Sequence, residues 1–395
     1  MTNIQSLYQH ISFEKNWQVT EKTIFMLGQC EAIIRIISSA PLEPVYRQQL
    51  LKVSLRKGAQ ATTAIEGNTL SEEEIIKIDE GGVLPPSKEY LQTEVQNVIT
   101  ALNQIRDEVI IDGKDHLITP ELIKTFHYNI GKNLGEHLKA VPGQFRSAGH
   151  DVVVGHYKPP LGKDVLQLIV RLCDWLKETF HYVDGKQEFG EQVIQAIVCH
   201  VYIAWIHPFG DGNGRTARLI EFYLLLRAGL PDIASHILSN HYNNTREEYY
   251  RNLDLSGKEK NLSGFIAYAV LGFRDGLNEV LDVVQFNVLK TAWRNYIYEV
   301  LDSKKAAGKT KSIVKRRRNI ALNFPTDSFQ SIDYLLNNNP AFIREYAKYS
   351  SVTLKRDLLE LEKLELIVKR EENYKANIEI LKDSMPLKKV KDSTR

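Results

Sequence analysis

Residues 207 to 218 carry side chains whose types and spacing suit phosphate binding and proton transfer. Gly212 and Gly214 have no Cβ, so the backbone there can adopt positive φ, and the start of a following helix presents unpaired N–H groups to an anion. Asp211 supplies a hard oxygen ligand of the kind that a phosphate-bound Mg²⁺ takes. His207, with a reference pKa near ~6.5, can take a proton from a hydroxyl.

Two arginines complete this pattern. Arg215 and Arg218 stand three residues apart, one helical turn, and can clamp phosphate oxygens in bidentate fashion. A calcium loop starting at Asp211 would need Gly where Thr216 stands and Glu where Phe222 stands. A Walker loop also fails, because no Gly-Lys-Ser/Thr follows a predicted strand. The sequence therefore predicts a phosphate cradle with its own base.

Two apolar segments must position this loop. Before the loop, apolar side chains recur at helical spacing, and after it they are too continuous for a surface helix. These side chains are Phe189, Val193, Ile194, Ile197, Val198, Val201, Tyr202 and Trp205, then Leu219, Ile220, Phe222, Tyr223, Leu224 and Leu225. We expect two core helices joined by the polar loop.

The same stretch resembles the Fic family signature, HxFx(D/E)GNGRxxR, and matches it at every defined position. The resemblance implies transfer of AMP from ATP to a Ser, Thr or Tyr hydroxyl of a target protein, with Mg²⁺ as cofactor and pyrophosphate leaving. It makes His207 the general base, Asp211 the Mg²⁺ ligand and Arg218 the γ-phosphate contact, while Phe209 anchors the loop. It also places Tyr249 and Tyr250 near the adenine. The predicted ATP-binding residues are Glu66, Gly210, Asp211, Gly212, Asn213, Gly214, Arg215, Arg218 and Tyr250.

Residues 143–146 and 151–160 resemble the flap of that family, a β-hairpin that pairs with an extended target segment. Alternating β-branched residues before Pro159-Pro160 fit an edge strand, and strand addition holds a backbone without reading much side-chain sequence. The predicted target-binding residues are Val153, Val154, Gly155 and His156. The alternative is an ordinary surface hairpin.

Residues 62–68, Thr-Thr-Ala-Ile-Glu-Gly-Asn, resemble the inhibitory helix of Fic proteins, (S/T)xxxE(G/N). The resemblance pairs Glu66 with Arg218. A carboxylate on Arg218 would compete with phosphate for the same donors. The alternative is routine punctuation: Gly67 caps one helix, and Ser71 and Glu74 have capping-box spacing for the next.

Composition limits partners and compartment. The chain has 395 residues, 43% hydrophobic and 25% charged, with a formal net charge of +2, which predicts no general attraction to nucleic acid or membrane. Cys30, Cys173 and Cys199 are widely spaced in apolar surroundings and are expected to be reduced, which favours the cytoplasm. We find no leader-like N-terminus and no stretch of about eighteen apolar residues, so no membrane partner is expected.

Most of the chain has helical periodicity, and the predicted fold is mostly α. Within it, the resemblance implies a Fic helical core with a β-hairpin flap, an N-terminal helical extension and a C-terminal winged-helix domain. The predicted divisions are residues 1–100 for the extension, 101–290 for the core, 291–325 for a basic linker or helix, 326–383 for the winged helix-turn-helix and 384–395 for a disordered tail.

The C-terminal region admits two uses. Eight of the fifteen residues at positions 304–318 are basic and none is acidic. Three short helices and a wing-like turn between residues 366–370 and 378–380 follow. Lys355 and Arg356 would face DNA from the third helix, whereas Asp357 and Glu360 would repel phosphate. We favour protein pairing over DNA binding here.

Three functions remain open on sequence. The leading one is an autoinhibited protein adenylyltransferase. The second keeps the site but removes AMP from a target or uses another phosphate donor, and the third is a DNA-binding regulator that senses a nucleotide. The sequence leaves dimerisation open, so Glu66 could reach Arg218 within one chain or across two.

Overall fold

The computed structural model describes residues 7–180, 188–234, 236–305 and 311–383. The chain forms two compact units, Met1–Asp282 and Val283–Arg395. The described residues are mostly helical, as predicted, with one small sheet in the second unit. The predicted tail, residues 384–395, lies outside the described residues.

The first unit is built from helices. Their ends follow the sequence signals: Thr119 caps the helix that Pro120 opens, and Ser71 and Glu74 form a reciprocal capping box. The helices are α1 (Glu21–Ser39), α2 (Pro44–Ala64), α3 (Glu72–Asp79), α4 (Glu89–Arg106), α5 (Pro120–Gly131), α6 (Gly162–Thr179), α7 (Phe189–Ile206), α8 (Asn213–Arg227), α9 (Ile237–Asn244), α10 (Arg246–Glu259) and α11 (Ser263–Lys305), which runs on into the second unit.

Helices α7 and α8 form the centre of the first unit, and the 207–212 loop joins them. Both are buried on nearly all faces, which explains why neither has a polar stripe. The expectation of no membrane-length apolar stretch was wrong for α7. Among the described residues, this one helix is long and apolar enough to cross a bilayer by length and composition, and 72% of it is buried inside the protein.

The N-terminal helices belong to the same compact unit as the predicted core. Helix α2 packs against α4 and α9 through small and apolar side chains, including Leu55, Ala59 and Thr62. The unit continues to Asp282. The predicted division at residue 100 is therefore not a boundary between compact units, because the extension supplies part of the core.

The second unit combines short helices with an antiparallel sheet. After the end of α11 come α12 (Lys311–Ala321), β1 (Gln330–Ser331), α13 (Ile332–Asn338), α14 (Pro340–Tyr346), α15 (Ser351–Lys363), β2 (Ile367–Arg370), β3 (Asn373–Ala376) and α16 (Glu379–Asp383). The strand order is β1-β3-β2, and Arg370 pairs with Asn373 across a two-residue turn. Trp293, Ile320, Phe342, Leu361 and Ile367 lie in its core.

The second strand of the predicted wing lies earlier in the chain than expected. Strand β2 lies where expected, but the returning strand is β3, and the segment 378–380 instead leads into α16. Tyr374 and Ala376 are buried at alternate positions of β3, so a polar-looking sequence pairs because every second residue reaches the core.

The basic segment is not a simple solvated linker. Within α12, Arg316 and Arg317 both donate to Asp357, at 2.6 and 2.7 Å, and Arg318 lies 3.7 Å from Asp302. Asp357 is buried instead of facing phosphate as expected. The side chains of Lys304, Lys305 and Lys309 lie outside the described residues.

Candidate active site

The loop after α7 is held in an unusual backbone conformation. His207 has φ 52° and ψ 59°, a left-handed geometry that is uncommon for a residue other than glycine. Arg146 donates from Nε to the His207 carbonyl at 2.9 Å, and its backbone N–H donates to the Pro208 carbonyl at 2.8 Å. Arg146 thus fixes the turn that presents the imidazole.

The rest of the loop is closed by Asn213. Its side-chain oxygen accepts from the Phe209 N–H at 2.8 Å, and its side-chain nitrogen donates to the Phe209 carbonyl at 2.9 Å. Gly212 has φ 76°, which starts α8 from a left-handed residue, and Gly210 lies against the Lys139 backbone. The N-terminal N–H groups of α8 are therefore presented by a rigid loop, the arrangement that binds anions.

His207 is partly buried, and burial lowers its pKa to about 4, with Arg146 acting in the same direction. Its imidazole is therefore neutral at pH 7. A neutral imidazole can accept a proton, which is what a general base requires.

Asp211 is the partly exposed carboxylate of the loop. Its Oδ1 accepts from the Gly212 N–H at 2.6 Å and its Oδ2 from the Lys139 N–H at 3.2 Å. Its side chain is 34% exposed. The described residues contain no cluster of three or more candidate metal ligands. A single carboxylate suits Mg²⁺ that takes its other ligands from phosphates and water.

Arg215 is engaged by carboxylates. Its Nη1 donates to Glu94, its Nη2 lies 3.4 Å from Asp211, and only 7% of its side chain is exposed. Asn68 also donates to Glu94, at 2.7 Å. Phosphate binding by Arg215, as predicted, would require part of this pairing to open. No pattern in the sequence indicates Glu94, which lies on α4, far from the loop along the chain.

Glu66 and Arg218 form an ion pair. Glu66 lies in the turn after α2, where Gly67 has φ 103°, and its Oε1 accepts from Arg218 Nη2 at 2.6 Å. The same nitrogen donates to the Thr62 carbonyl at 2.8 Å. Burial raises the pKa of Glu66, but the charge and hydrogen bond of Arg218 outweigh it and hold that pKa below its usual value. The pairing predicted from the sequence is present within one chain.

The Glu66 carboxylate also covers the start of α8. A Cβ on Gly214 would lie 2.1 Å from Glu66 Oε1, so only glycine permits this approach. The carboxylate thus sits where the N-terminus of α8 would receive an anionic ligand. It remains 32% exposed, whereas Arg218 is 1% exposed.

A cavity of about 720 Å³ opens beside these groups. Glu66, His207, Asn213 and Gly214 line one part of it. Tyr250 also lines it and is 44% exposed, while Tyr249 is buried and bonds to His200 at 3.0 Å. The volume falls in the usual range for small-molecule sites.

The predicted flap lies at the rim of this cavity. Val153, Val154, Gly155 and His156 are exposed, and Val154 and His156 line the cavity. The hairpin consists of a single antiparallel bridge between Val154 and Tyr157, so the predicted edge strand is reduced to one pair.

Two further histidines were missed by sequence reasoning. His127, on α5, stacks on Phe209 at 3.6 Å, donates to the Asp211 carbonyl at 3.0 Å and accepts from the Gly143 N–H at 2.9 Å. Burial lowers its pKa to about 4, so it stays neutral and can do both. The second, His10, lines the cavity from the N-terminal segment. Neither stands in a recognisable motif.

Residues 117–225 match the family model described as Fic/DOC family. This segment is a Fic/DOC family domain. It contains α5 to α8 and the loop from His207 to Arg218, and Glu66 reaches it from outside the matched residues.

Related proteins share this Fic domain. The chain is 30% identical over 196 residues to "Protein adenylyltransferase fic-1" of Caenorhabditis briggsae, covering 49% of this chain and 35% of the relative. It is 29% identical over 217 residues to "Protein adenylyltransferase Fic" of Nematostella vectensis, covering 55% and 46%. The chain spans less than half the length of these curated relatives.

Solved structures share the fold. A Fic family protein from Desulfovibrio desulfuricans aligns with TM-score 0.55 and 18% identity, over 92% of this chain and 98% of that one. Fic-1 of Caenorhabditis elegans aligns with TM-score 0.56 and 22% identity, over 67% and 73%. These likenesses support the fold alone.

Proposed function

We propose that the chain is a protein adenylyltransferase, which transfers AMP from ATP to a hydroxyl of a target protein and is restrained by Glu66. The observation that carries the proposal is the position of the Glu66 carboxylate, 2.6 Å from Arg218 and against Gly214 at the start of α8. A site that pairs a carboxylate with a buried guanidinium, beside a helix N-terminus, has the donors that a phosphate needs.

The chain's residues take the following roles. His207 removes the proton of the target hydroxyl, whose oxygen bonds to the α-phosphorus as the bond to the β-phosphate oxygen breaks and pyrophosphate leaves. Asp211 would hold Mg²⁺, which supplies neutralisation of phosphate charge when bound. The N-terminus of α8 and Arg218 position the phosphates. The reaction asks mostly for positioning and charge stabilisation.

Glu66 restrains this reaction by competition. A charged hydrogen bond contributes roughly 1.5 to 3 kcal/mol, so contesting Arg218 alone reduces productive ATP binding about ten- to a hundredfold. Displacement of the reacting phosphate by about 1 Å reduces the rate by about a further hundredfold.

Target proteins would bind at the flap. Val153 and Val154 are exposed beside the cavity, and the single bridge of the hairpin leaves backbone groups for an added strand.

The second unit would bind another protein and not DNA. Its arginines at positions 316–318 are engaged within the unit, while Val352 and Leu359 are exposed on α15. Tight DNA binding with a steep salt dependence would contradict that role.

The three free, buried cysteines fit a reducing compartment, for which we propose the cytoplasm.

The test compares two labels on the same nucleotide. The full-length Glu66→Gly variant is incubated with Mg²⁺, a cell lysate as target source, and ATP labelled at the α- or the γ-phosphate. We expect protein-bound label above that of the lysate alone from α-labelled ATP only. Adding His207→Ala should lower it about 10²- to 10⁴-fold.

Two results would replace this function. Protein-bound label from γ-labelled ATP above that of the lysate alone, and lost in His207→Ala, would indicate phosphoryl transfer by this chain. Release of AMP from a pre-modified target by the parent chain, without transfer by Glu66→Gly, would indicate the reverse reaction.

A further inference from the structure

The N-terminal segment contributes to the cavity a side chain that the proposed mechanism does not use. His10 lines the cavity together with Trp205, Leu253 and Gly257. Its ring meets Trp205 edge-on, with centroids 5.4 Å apart and planes at 81°. A Cβ on Gly257 would lie 3.5 Å from Trp205 Nε1, so His10, Trp205 and the Gly257 backbone form one wall. This wall is mainly apolar, unlike the charged part around Glu66 and Gly214, and suits a flat ring.

The hydrogen bonds of His10 fix which of its nitrogens carries hydrogen. Tyr157 donates its single hydroxyl proton to the Trp205 carbonyl at 2.7 Å. His10 Nε2 lies 2.8 Å from the same hydroxyl oxygen, so the Tyr157 oxygen must accept and His10 Nε2 must donate. Burial lowers the pKa of His10 to about 4, with Lys260 acting in the same direction, so the ring is neutral at pH 7. A neutral imidazole that donates from Nε2 has a bare acceptor at Nδ1.

His10 is held firmly on its own segment. Tyr8 donates to Asp164 Oδ2 at 2.8 Å and accepts from the Leu161 N–H at 3.0 Å. Asn16 accepts from the Leu262 N–H at 3.3 Å on the other side of His10. Among the described residues, no hydrogen-bond partner of His10 Nδ1 is present, so this acceptor is fixed in place and available to a ligand.

We propose that His10 is a specificity-determining residue, whose Nδ1 accepts a hydrogen bond from the exocyclic amino group of adenine. In the same pose, guanine would place a carbonyl oxygen against that acceptor, and two lone pairs would face each other. The inference rests on the proposed function in taking a nucleoside triphosphate as the occupant of the cavity. It assigns the choice of base to a segment outside the Fic domain.

The test measures a preference and not a single affinity. Full-length chain carrying Glu66→Gly and His207→Ala, which binds nucleotide without turnover, is titrated calorimetrically with ATP and with GTP in the presence of Mg²⁺. Adding His10→Ala should lower the ratio of the two affinities about tenfold, equivalent to about 1.4 kcal/mol. His10→Phe, which keeps an aromatic edge on Trp205 but lacks the acceptor, should lower it equally. Gln9→Ala, on the same segment but outside the cavity lining, should leave it unchanged.

A merely structural role would weaken ATP and GTP binding alike. An unchanged affinity ratio in both His10 variants, with unchanged thermal melting, would overturn the proposal. Should both lose stability, His10→Asn decides, because its amide oxygen can take the place of Nδ1 as a hydrogen-bond acceptor. A ratio as low as that of His10→Ala in this variant would contradict the proposal.

The outcome separates this inference from the proposed function. A His10-dependent preference for ATP in a chain that transfers no α-label would refute the transferase and support the base-reading role. Equal transfer of α-label from ATP and from GTP, both by the parent and by the His10 variants, would support the transferase and refute the base-reading role.

Discussion

Each unit of the protein contains a buried guanidinium paired with a carboxylate, and the two pairs are built differently. In the first unit, Glu66 lies in the turn after α2, is 32% exposed and contacts Arg218. In the second, Asp357 lies within α15, is 1% exposed and accepts from Arg316, Arg317 and Tyr346. The first carboxylate can leave its partner for solvent, whereas the second cannot.

The difference shows that access to a competitor decides what such a pair can do. Breaking a buried pair is costly because it leaves a charge without a partner or water. A phosphate entering the cavity would supply a new partner for Arg218 as Glu66 moves into solvent. Nothing can take the place of Asp357, since its donors come from three side chains packed around it. We therefore interpret Glu66 as an inhibitory carboxylate that a phosphate can displace, the latch, and Asp357 as a structural carboxylate that stays in place, the brace.

The largest expected effect concerns the brace. Asp357→Ala should destabilise the second unit by about 3 to 5 kcal/mol, because Arg316 and Arg317 would remain nearly buried without their carboxylate. Hydrogen exchange of α12 and α15 would measure it. Glu362→Ala, an exposed acid on the same helix, should change stability by less than about 0.5 kcal/mol. A similarly small effect for Asp357→Ala would remove the contrast with Glu66.

A second prediction concerns the pKa of His207, which lines the same cavity as Glu66. Because burial lowers its pKa from 6.5 to about 4, the base stays deprotonated at mildly acid pH. The kcat/KM for α-label transfer by Glu66→Gly should therefore be nearly level from pH 7.5 to 5.5 and fall only as pH approaches 4. A histidine with a pKa of ~6.5 would lose about tenfold between pH 7.5 and pH 5.5. A midpoint near 6.5 would show that the site is more open than described.

The smallest expected effect sharpens the description of the brace. Tyr346→Phe removes one of the three donors to Asp357, at 3.0 Å, and leaves both arginines in place. We expect a loss of about 1 to 2 kcal/mol in the free energy of unfolding of the second unit, since a hydrogen bond to a charged group is at stake. Urea denaturation monitored by circular dichroism would measure it. A loss as large as that of Asp357→Ala would mean that the tyrosine, and not the charge, holds α15.

The sequence could predict what depends on local pattern. The loop between two core helices, the cap at Thr119 and the Ser71 capping box follow from residues that lie close together in the chain. The Glu66–Arg218 contact was reached through family resemblance, since the two are far apart in sequence. Its geometry against Gly214 required the folded backbone.

What escaped prediction depends on long-range packing. Glu94 reaches Arg215 from another helix, and His127 reaches Asp211 from α5. Asp357 looked like a surface acid until α12 placed two arginines against it. For the wing, we predicted the returning strand at the apolar segment 378–380. The tight turn after Arg370 instead brings β3 back against β2. The periodicity of apolar residues along the sequence does not predict these long-range contacts.

The central claim is that Glu66 and the triphosphate contest Arg218. The most direct measurement is the initial rate of protein-bound label from α-labelled ATP, compared between the parent chain and Glu66→Gly, with Glu73→Ala as a control acid that does not contact Arg218. We predict an increase on the order of a thousandfold for Glu66→Gly and none for Glu73→Ala. Equal rates for the parent and Glu66→Gly would contradict the account.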